Sequence, residues 1–376
     1  MHNIYLVNSL RFPFGDAGGI RVLGFAKVLK YLGYAPYVVT MGVEPETESI
    51  IDDISYKSFR QKNKKMNYLL FYPKMFYFLL KKRQNINFVI ADGSDLLLIV
   101  FLKLFCRLFH IVFICDVVEW YSKSQFKRPY LSYDYLSKNI LNRYVLTKKD
   151  RIIAISRYLE EYFTHKGCKT VRIPIFFEIP EDEFKKKEHK RLTLIYAGSP
   201  GKKDFLGEML TGVSRLTPSD LQRIRFIVIG VTEANLRMNL GIETYDTIKA
   251  CLQVTGRLDR HNVLNYYKEA DFAVLLRNAE LRVSKAGFPS KVSECMCYYT
   301  PMICNYSSDL KDYLVDGVNC LICNDHTAES FEETIKRALA LHRDEIKIMS
   351  EKAYQTAVRY FNILSNQESF TKILTK

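Results

Sequence analysis

Three short loops hold the residue types from which a phosphate or sugar site is built. The first, Phe14-Gly15-Asp16-Ala17-Gly18-Gly19-Ile20-Arg21, follows the apolar run Ile4–Val7. Glycines let a backbone approach a ligand, and a helix starting there offers free N–H groups to an anion. The spacing is not the GxGxxG dinucleotide fingerprint, so a plain turn is the competing reading. The second, Tyr196-Ala197-Gly198-Ser199-Pro200-Gly201-Lys202-Lys203-Asp204, sets two glycines beside two lysines. Amides and a point charge suit a diphosphate, whereas a βα turn with solvated lysines is the plainer account. The Walker pattern is missing, which leaves ATP hydrolysis without support. The third runs from Lys285 and Ala286 through Gly287-Phe288-Pro289-Ser290-Lys291 to Glu294. It leads into a helix whose first turn presents N–H groups to a phosphate. Glu294 lies about one turn in, where a carboxylate can accept two hydrogen bonds from a ribose diol. A capping or helix-dipole role is its alternative.

The elements that must position these loops alternate between strand and helix patterns. Strands are predicted at Ile4–Val7, Tyr37–Thr40, Phe88–Ala91, Ile111–Cys115, Arg151–Ile155 and Val171–Ile173. After a charged, apolar-poor stretch, Glu178–Lys190, a second series follows at Leu192–Tyr196, Phe226–Ile229, Gln253–Gly256, Phe272–Leu276, Met302–Cys304 and Cys320–Ile322. Strands separated by helices imply parallel sheets with right-handed crossovers. The expected organisation is a domain over 1–178, a linker over 179–190, a second domain over 191–350 and a C-terminal helix over 351–376 that packs back on the first. In such α/β sheets, ligands bind outside the carboxyl ends of the strands, where all three loops fall.

Composition narrows the classes. Hydrophobic residues make up 48% and charged residues 26%, an ordinary globular balance. The N-terminus reads as a buried strand rather than a signal peptide, so a cytoplasmic location is expected. Nine cysteines, an odd number, argue against a disulfide framework, and the Cys320/Cys323 pair reads as core rather than zinc ligands. Residues 1–150 hold 22 Lys/Arg against 12 Asp/Glu, while residues 191–376 hold 24 against 22. Between Lys57 and Arg83 nine basic residues are interleaved with Tyr68, Phe71, Tyr72, Phe76, Tyr77 and Phe78, without an acidic one. This pattern suits an anionic membrane surface and a peripheral position on the inner face of the cell membrane. Nucleic acid is the competing partner, but no recognition motif accompanies the charge. The apolar run Leu96–Cys115 is interrupted by Lys103, Arg107 and His110, so it divides into a helix (Leu96–Phe109) and a strand rather than crossing a bilayer.

The order YAGSPGKKD, then GRLDRHNVLNYYKEADFAVLLR, then AGFPSKVSECMCYYTPMICN resembles the retaining GT-B glycosyltransferases of family 4. In particular it resembles bacterial polysaccharide-assembly members that carry an FPSK-type loop before the helix glutamate. GGIR near the start, DVVEWY at Asp116–Tyr121, AISRYLEEYF at Ala154–Phe163 and Ile173-Pro174 extend the resemblance over nearly the whole chain. It implies two doubly wound Rossmann-like domains facing each other across a cleft. It also implies a nucleotide-sugar donor and no cofactor or metal. By position, Gly18, Gly19 and Arg21 meet the donor diphosphate and acceptor. Gly198 and Lys203, with Lys202 as a neighbouring alternative, meet the phosphates. Gly287, Phe288, Pro289, Ser290 and Lys291 hold the diphosphate and sugar, and Glu294 takes the ribose. Gly256 and Arg257 lie on the nucleobase side. The chain departs from the family where Ala286 stands in place of a sugar-contacting glutamate. It also lacks the arginine expected before the phosphate lysine, for which Arg277, Arg282 and Lys285 are replacement cations. The family's N-domain histidine is not evident, and Glu119, beside Trp120, becomes the polar candidate at the acceptor side; a buried structural carboxylate is its alternative.

The expected chemistry is glycosyl transfer without a metal ion, because no DxD-like motif is placed to bind a diphosphate and fixed amides and cations can stabilise its departure without a proton shuttle. Retention of configuration is what the resemblance implies. Glu119, Lys203 and Glu294 are the candidate catalytic groups. The expected acceptor is a lipid-linked saccharide in the synthesis of a bacterial surface polysaccharide such as lipopolysaccharide or capsule. A nucleotide-sugar epimerase of the same fold and a non-catalytic membrane-associated relative are the alternatives.

Overall fold

The computed structural model describes residues 2–15, 17–42, 46–60, 64–179, 189–201 and 203–375, and the side chains of all of these but 42, 60 and 64–70. Most of the expected linker, together with Asp16 and Lys202, lies outside the described residues. Contacts divide the chain into two units. The first is Met1–Glu178 with Ala286–Phe288 and Ile363–Lys376, and the second is Ile179–Lys285 with Pro289–Asn362.

The first unit contains an eight-stranded sheet. Its strands are β1 (Asn3–Val7), β2 (Ala35–Gly42), β3 (Thr47–Ile51), β4 (Ile54–Arg60), β5 (Phe88–Asp92), β6 (Val112–Val117), β7 (Arg151–Ala154) and β8 (Lys169–Arg172). The spatial order is β3-β4-β2-β1-β5-β6-β7-β8, parallel except for the β3–β4 hairpin. The chain runs outward from β1 through β2, then returns to place β5 on the other side of β1. Right-handed crossovers therefore put α1 (Ala17–Tyr31) on one face and α2 (Lys64–Lys82), α3 (Leu96–Leu108), α4 (Tyr133–Ile140) and α5 (Arg157–His165) on the other. On the α1 face, Val22, Leu23, Phe25, Val28 and Leu29 join Ile4, Leu6, Phe176, Phe370, Ile373 and Leu374 in one core. Each such side chain contributes on the order of 1.5–3 kcal/mol by leaving water.

The apolar run after Leu96 divides as its charges require. Asp95 caps α3 by accepting from the Leu98 amide at 3.1 Å, and Leu98, Ile99, Leu102, Phe105 and Cys106 face inward. Lys103 reaches the buried carboxylate of Asp150 and the Val145 carbonyl. Among the described residues, no helix is long and apolar enough to cross a membrane. The C-terminal segment is not one helix. Arg343–Tyr360 belongs to the second unit, whereas Gln367–Leu374 inserts Phe370, Ile373 and Leu374 into the core of the first.

The second unit contains β9 (Leu192–Ala197), β10 (Ile224–Ile229), β11 (Leu252–Gly256), β12 (Phe272–Leu275), β13 (Met302–Asn305) and β14 (Cys320–Cys323), all parallel, in the order β11-β10-β9-β12-β13-β14. Every residue of β9, β12, β13 and β14 is buried, as expected for a sheet covered on both faces. All nine cysteines are buried and free. Cys320 and Cys323, three apart on a strand, point to opposite faces.

Candidate functional site

Strand order in the second unit reverses between β9 and β12, and a crevice outside their carboxyl ends is the natural ligand position. β9 gives way to Gly198 at φ +137°, where an added Cβ would lie 2.8 Å from Lys291 Cε. Glycine at this point leaves room for the lysine side chain to lie across the end of the strand. Gly230, after β10, is equally constrained, because a Cβ there would stand 2.6 Å from the Gly198 carbonyl oxygen.

Asp204 is the centre of the arrangement. Its carboxylate accepts from Tyr196 Oη at 2.9 Å and from Arg277 Nε at 2.9 Å, and it is ion-paired with Lys291 Nζ. The Lys291 ammonium sits 3.9 Å from the centroid of the Tyr196 ring. Asn305, at the end of β13, pins the backbone of Arg277 by accepting from its N–H at 2.9 Å and donating to its carbonyl at 2.7 Å. Two cations thus share one carboxylate in a largely buried place. Burial works against the charged form of Asp204, yet Lys291 and Arg277 outweigh it and hold the carboxyl below its ordinary range. Burial lowers the Lys291 ammonium to about 8, with Asp204 offsetting only part of the effect. The two partners shift in ways that favour the carboxylate and disfavour the ammonium. Burial accounts for most of the ammonium's fall, with repulsion from Arg277 adding to it, while the two cations together stabilise the shared anion.

Glu294 lies in the short helix Ser290–Met296 that follows the loop. It is paired with Arg260, the first residue of the helix Arg260–Glu269, whose start is capped by Asp259 accepting from the Asn262 amide at 2.9 Å. Burial raises the Glu294 carboxyl above its ordinary range, against the pull of Arg260 and Lys291.

The strand order of the first unit also reverses, between β1 and β5. Asn8 follows β1 and is buried; its Oδ1 accepts from Thr40 Oγ1 at 2.8 Å and from the Leu10 amide at 3.0 Å. Its Nδ2 has no hydrogen-bond partner among the described residues. Asp92, the last residue of β5, accepts from Ser94 Oγ, which lies 3.4 Å from Ser9 Oγ. Burial raises Asp92 to about 6, opposed by Lys138 and Ser94. Lys138 Nζ donates to the Gly93 carbonyl at 2.8 Å.

The whole chain superposes on solved structures. It is similar to sucrose-phosphate synthase from Thermosynechococcus elongatus, with TM-score 0.73, 14% identity, and coverage of 99% of this chain and 98% of that one. It is similar to the Anabaena protein HepE in complex with UDP-glucose, with TM-score 0.68, 12% identity, and coverage of 100% and 99%. It is also similar to the lipopolysaccharide outer core galactosyltransferase WaaB, with TM-score 0.62, 14% identity, and coverage of 99% of each chain. At these identities the likeness shows the fold, which is the two-domain Rossmann-like GT-B fold. No curated protein matches the chain in sequence. Residues 178–356 match the family described as Glycosyl transferases group 1. The second unit is thus a glycosyl transferases group 1 domain.

Of the residues singled out in sequence, the group 1 domain brings Gly198, Arg277 and Lys291 together, and Glu294 lies close enough to Lys291 for their charges to interact. Lys203 adjoins the cluster in the chain and is partly buried, with its amide donating to the Pro200 carbonyl at 3.3 Å. Gly256 closes β11 and Arg257 is exposed. Lys285 is turned to Glu280 at 3.0 Å. Pro289 and Ser290 begin the Glu294 helix, while Gly287 and Phe288 group with the first unit, as does the buried Ala286. In the first unit, Gly18 and Gly19 fall within the first turn of α1. Arg21, expected at the donor, is buried. Nε donates to Asp116 at 2.8 Å, a terminal nitrogen to the same carboxylate at 2.9 Å, and both terminal nitrogens to the carbonyls of Pro174 and Ile173. Its guanidinium holds the fold. Glu119 follows β6 and accepts from Tyr121 Oη at 2.6 Å, and the buried Trp120 donates to Asn139 Oδ1 at 3.1 Å. Asp204, Tyr196, Asn305 and Arg260 were not among the sequence candidates. Asp204 stood at the end of the quoted GKKD stretch and Arg260 within GRLDRHN, so their types were visible and their partners were not.

Proposed function

We propose that the chain is a glycosyltransferase that moves a sugar from a nucleotide-diphosphate donor to a saccharide acceptor. The observation that carries this reading is the Arg277–Asp204–Lys291 cluster, which holds one more cation than carboxylate at the strand-order reversal of a glycosyl transferases group 1 domain. A diphosphate supplies the missing negative charge. As the bond to the sugar breaks, charge grows on the leaving phosphate oxygen, and pre-placed cations stabilise it without reorganising. In this mechanism Lys291 and Arg277 face the diphosphate, joined by Lys203. Glu294 accepts hydrogen bonds from the ribose diol, with Arg260 keeping its carboxylate charged.

Retention of configuration, hexosyl transfer without a metal ion, and membership of the family 4 polysaccharide-assembly enzymes follow from the resemblance in sequence. The acceptor is a lipid-linked saccharide of a bacterial surface polysaccharide, a lipopolysaccharide or capsule, met at the cytoplasmic face of the membrane. The basic surplus of residues 1–150 supports that placement.

Because the HepE structure contains UDP-glucose, that compound heads a calorimetric screen of nucleotide sugars. The expected result is binding by at least one of them that Glu294→Gln weakens at least tenfold, with labelled sugar passing to an added acceptor. If no nucleotide sugar binds the full chain, the reading fails. Conversion of the donor without any acceptor would indicate an epimerase instead.

A further inference from the structure

The basic aromatic stretch 57–83 singled out in sequence turns mostly inward where it is described. Phe71, Met75 and Leu79 are buried, Phe76 packs edge-on against Phe101 of α3 at 4.6 Å, and Phe78 packs against Phe59 and Tyr37. Among its described aromatics only Tyr77 is exposed. The apolar surface that does face outward lies further along the same layer of helices. On α3, Leu97, Leu104 and Leu108 recur at helical spacing on the side away from the core, and Leu104 and Leu108 are 61% and 68% exposed. Next to α3, Leu136, Ile140 and Tyr144 form a second stripe, with Tyr144 73% exposed. The contacts of Phe76 with Phe101, and of Lys103 with the Val145 carbonyl, join α2, α3 and the helical turn Leu141–Val145 that continues α4 side by side, so the stripes are neighbours.

Charge accompanies this face. Lys81, Lys82 and Arg83 end the α2 segment, Arg107 lies at the end of α3, and Arg143, Lys148 and Lys149 follow α4; all are exposed. Helices of one crossover layer end at the amino edges of the next strands, so these cations gather at one end of the layer. No acidic residue occurs from Ile54 to Ala91, and between Leu96 and Lys149 the exposed residues include Asp134 as their only carboxylate.

We infer that the α2–α3–α4 face of the first unit docks on an anionic phospholipid surface. Leu104, Leu108, Ile140 and Tyr144 enter the interfacial region while the Lys81–Arg83, Arg107 and Lys148–Lys149 cations meet phosphate headgroups. An apolar stripe flanked by cations at one end suits the acyl–headgroup boundary, where apolar area and attraction to anionic lipid add. The inference deepens the membrane part of the function proposed above and does not depend on sugar transfer.

The test is co-sedimentation of the full chain with vesicles of phosphatidylcholine alone or mixed with phosphatidylglycerol. Wild type is expected on the mixed vesicles only. Leu104→Glu with Tyr144→Glu lowers that binding at least tenfold, and Lys81→Gln with Lys82→Gln and Arg107→Gln lowers it about a hundredfold. Both variants change only exposed positions and should keep the wild-type Tm, whereas Met238→Glu, exposed on the second unit, leaves binding unchanged. Binding by wild type that survives both variants overturns this face and leaves the membrane reading intact. No binding by wild type overturns both. Concentration-dependent self-association in sedimentation velocity, abolished by Leu104→Glu, would make a second copy the occupant and overturn the lipid assignment. Nucleotide-sugar binding, measured alongside, reports separately on the transferase reading.

Discussion

The two strand-order reversals of this chain occupy equivalent places in similar sheets and are charged differently. In the second unit, Arg277 and Lys291 share the single carboxylate of Asp204. In the first, Arg21 is matched by Asp116, and Asp92 lies within the field of Lys138, leaving hydroxyls at Ser9 and Ser94 and an Asn8 Nδ2 that has no hydrogen-bond partner among the described residues. A buried surplus cation is costly unless an anion completes it. A charge-balanced rim with hydroxyls and an amide has no such need and suits a neutral, hydroxylated ligand. One fold used twice thus gives two differently charged rims, and the difference lies in a few side chains rather than in topology.

The largest effect should come from removing the shared anion. Asp204→Asn leaves two buried cations without the carboxylate they share, and loss of one partner from a buried pair costs about 3–5 kcal/mol. Chemical denaturation should show that loss at neutral pH, with a diphosphate ligand restoring part of it. A change below about 1 kcal/mol would mean that the cluster is solvated and the contrast between the rims is weaker than drawn. Lys291→Met should act the other way. It removes the surplus cation but leaves Arg277 for Asp204, so stability is kept while nucleoside-diphosphate affinity falls about a hundredfold, the effect of about 2–4 kcal/mol for truncating a buried charged partner. Calorimetry with UDP reads this directly.

The first rim offers the counter-test. Burial raises Asp92 from its ordinary value to about 6. A carboxyl raised in the folded state costs stability as pH climbs from the unfolded value through the folded one, and the cost persists above it. Asp92→Asn mimics the protonated form and should be more stable than wild type by about 3 kcal/mol at pH 7, with the gap mostly closed by pH 4. Equal stability of the two proteins across that window would show that Lys138 already compensates Asp92.

Why was one rim easier to read than the other? Alternation of apolar runs with helical stripes made both sheets legible, because a fully buried parallel strand is a continuous apolar segment. The β3–β4 hairpin escaped because its turn is Asp52-Asp53, both at positive φ (47° and 57°), a type I′ geometry usually marked by Asn-Gly. Its β3 strand, Thr47–Ile51, has no buried residue and therefore no apolar signature. Gly198, Lys291 and Glu294 were legible because loop glycines, lysines and a helix carboxylate belong to phosphate chemistry as residue types. Asp204 and Arg260 were not, since their importance comes from partners 73, 87 and 34 positions away, which spacing does not reveal. Arg21 shows the converse. A cation beside a glycine pair reads as a ligand group, yet the fold turns it onto Asp116.

The smallest effect is the most specific to the surplus cation. Lys291 is lowered to about 8 before ligand binds, and a diphosphate beside it would raise that value. Affinity should therefore be complete below pH 8 and decline above it, by up to about tenfold per pH unit until the bound-state value is reached. Calorimetry with UDP from pH 6.5 to 9.5, in buffers of differing ionisation enthalpy, should show proton uptake on binding near pH 8. Lys291→Met should bind weakly at every pH with no uptake. If wild type shows no proton uptake, the ammonium is already fully charged without ligand, and the balance between the two rims must be set by Arg277 alone.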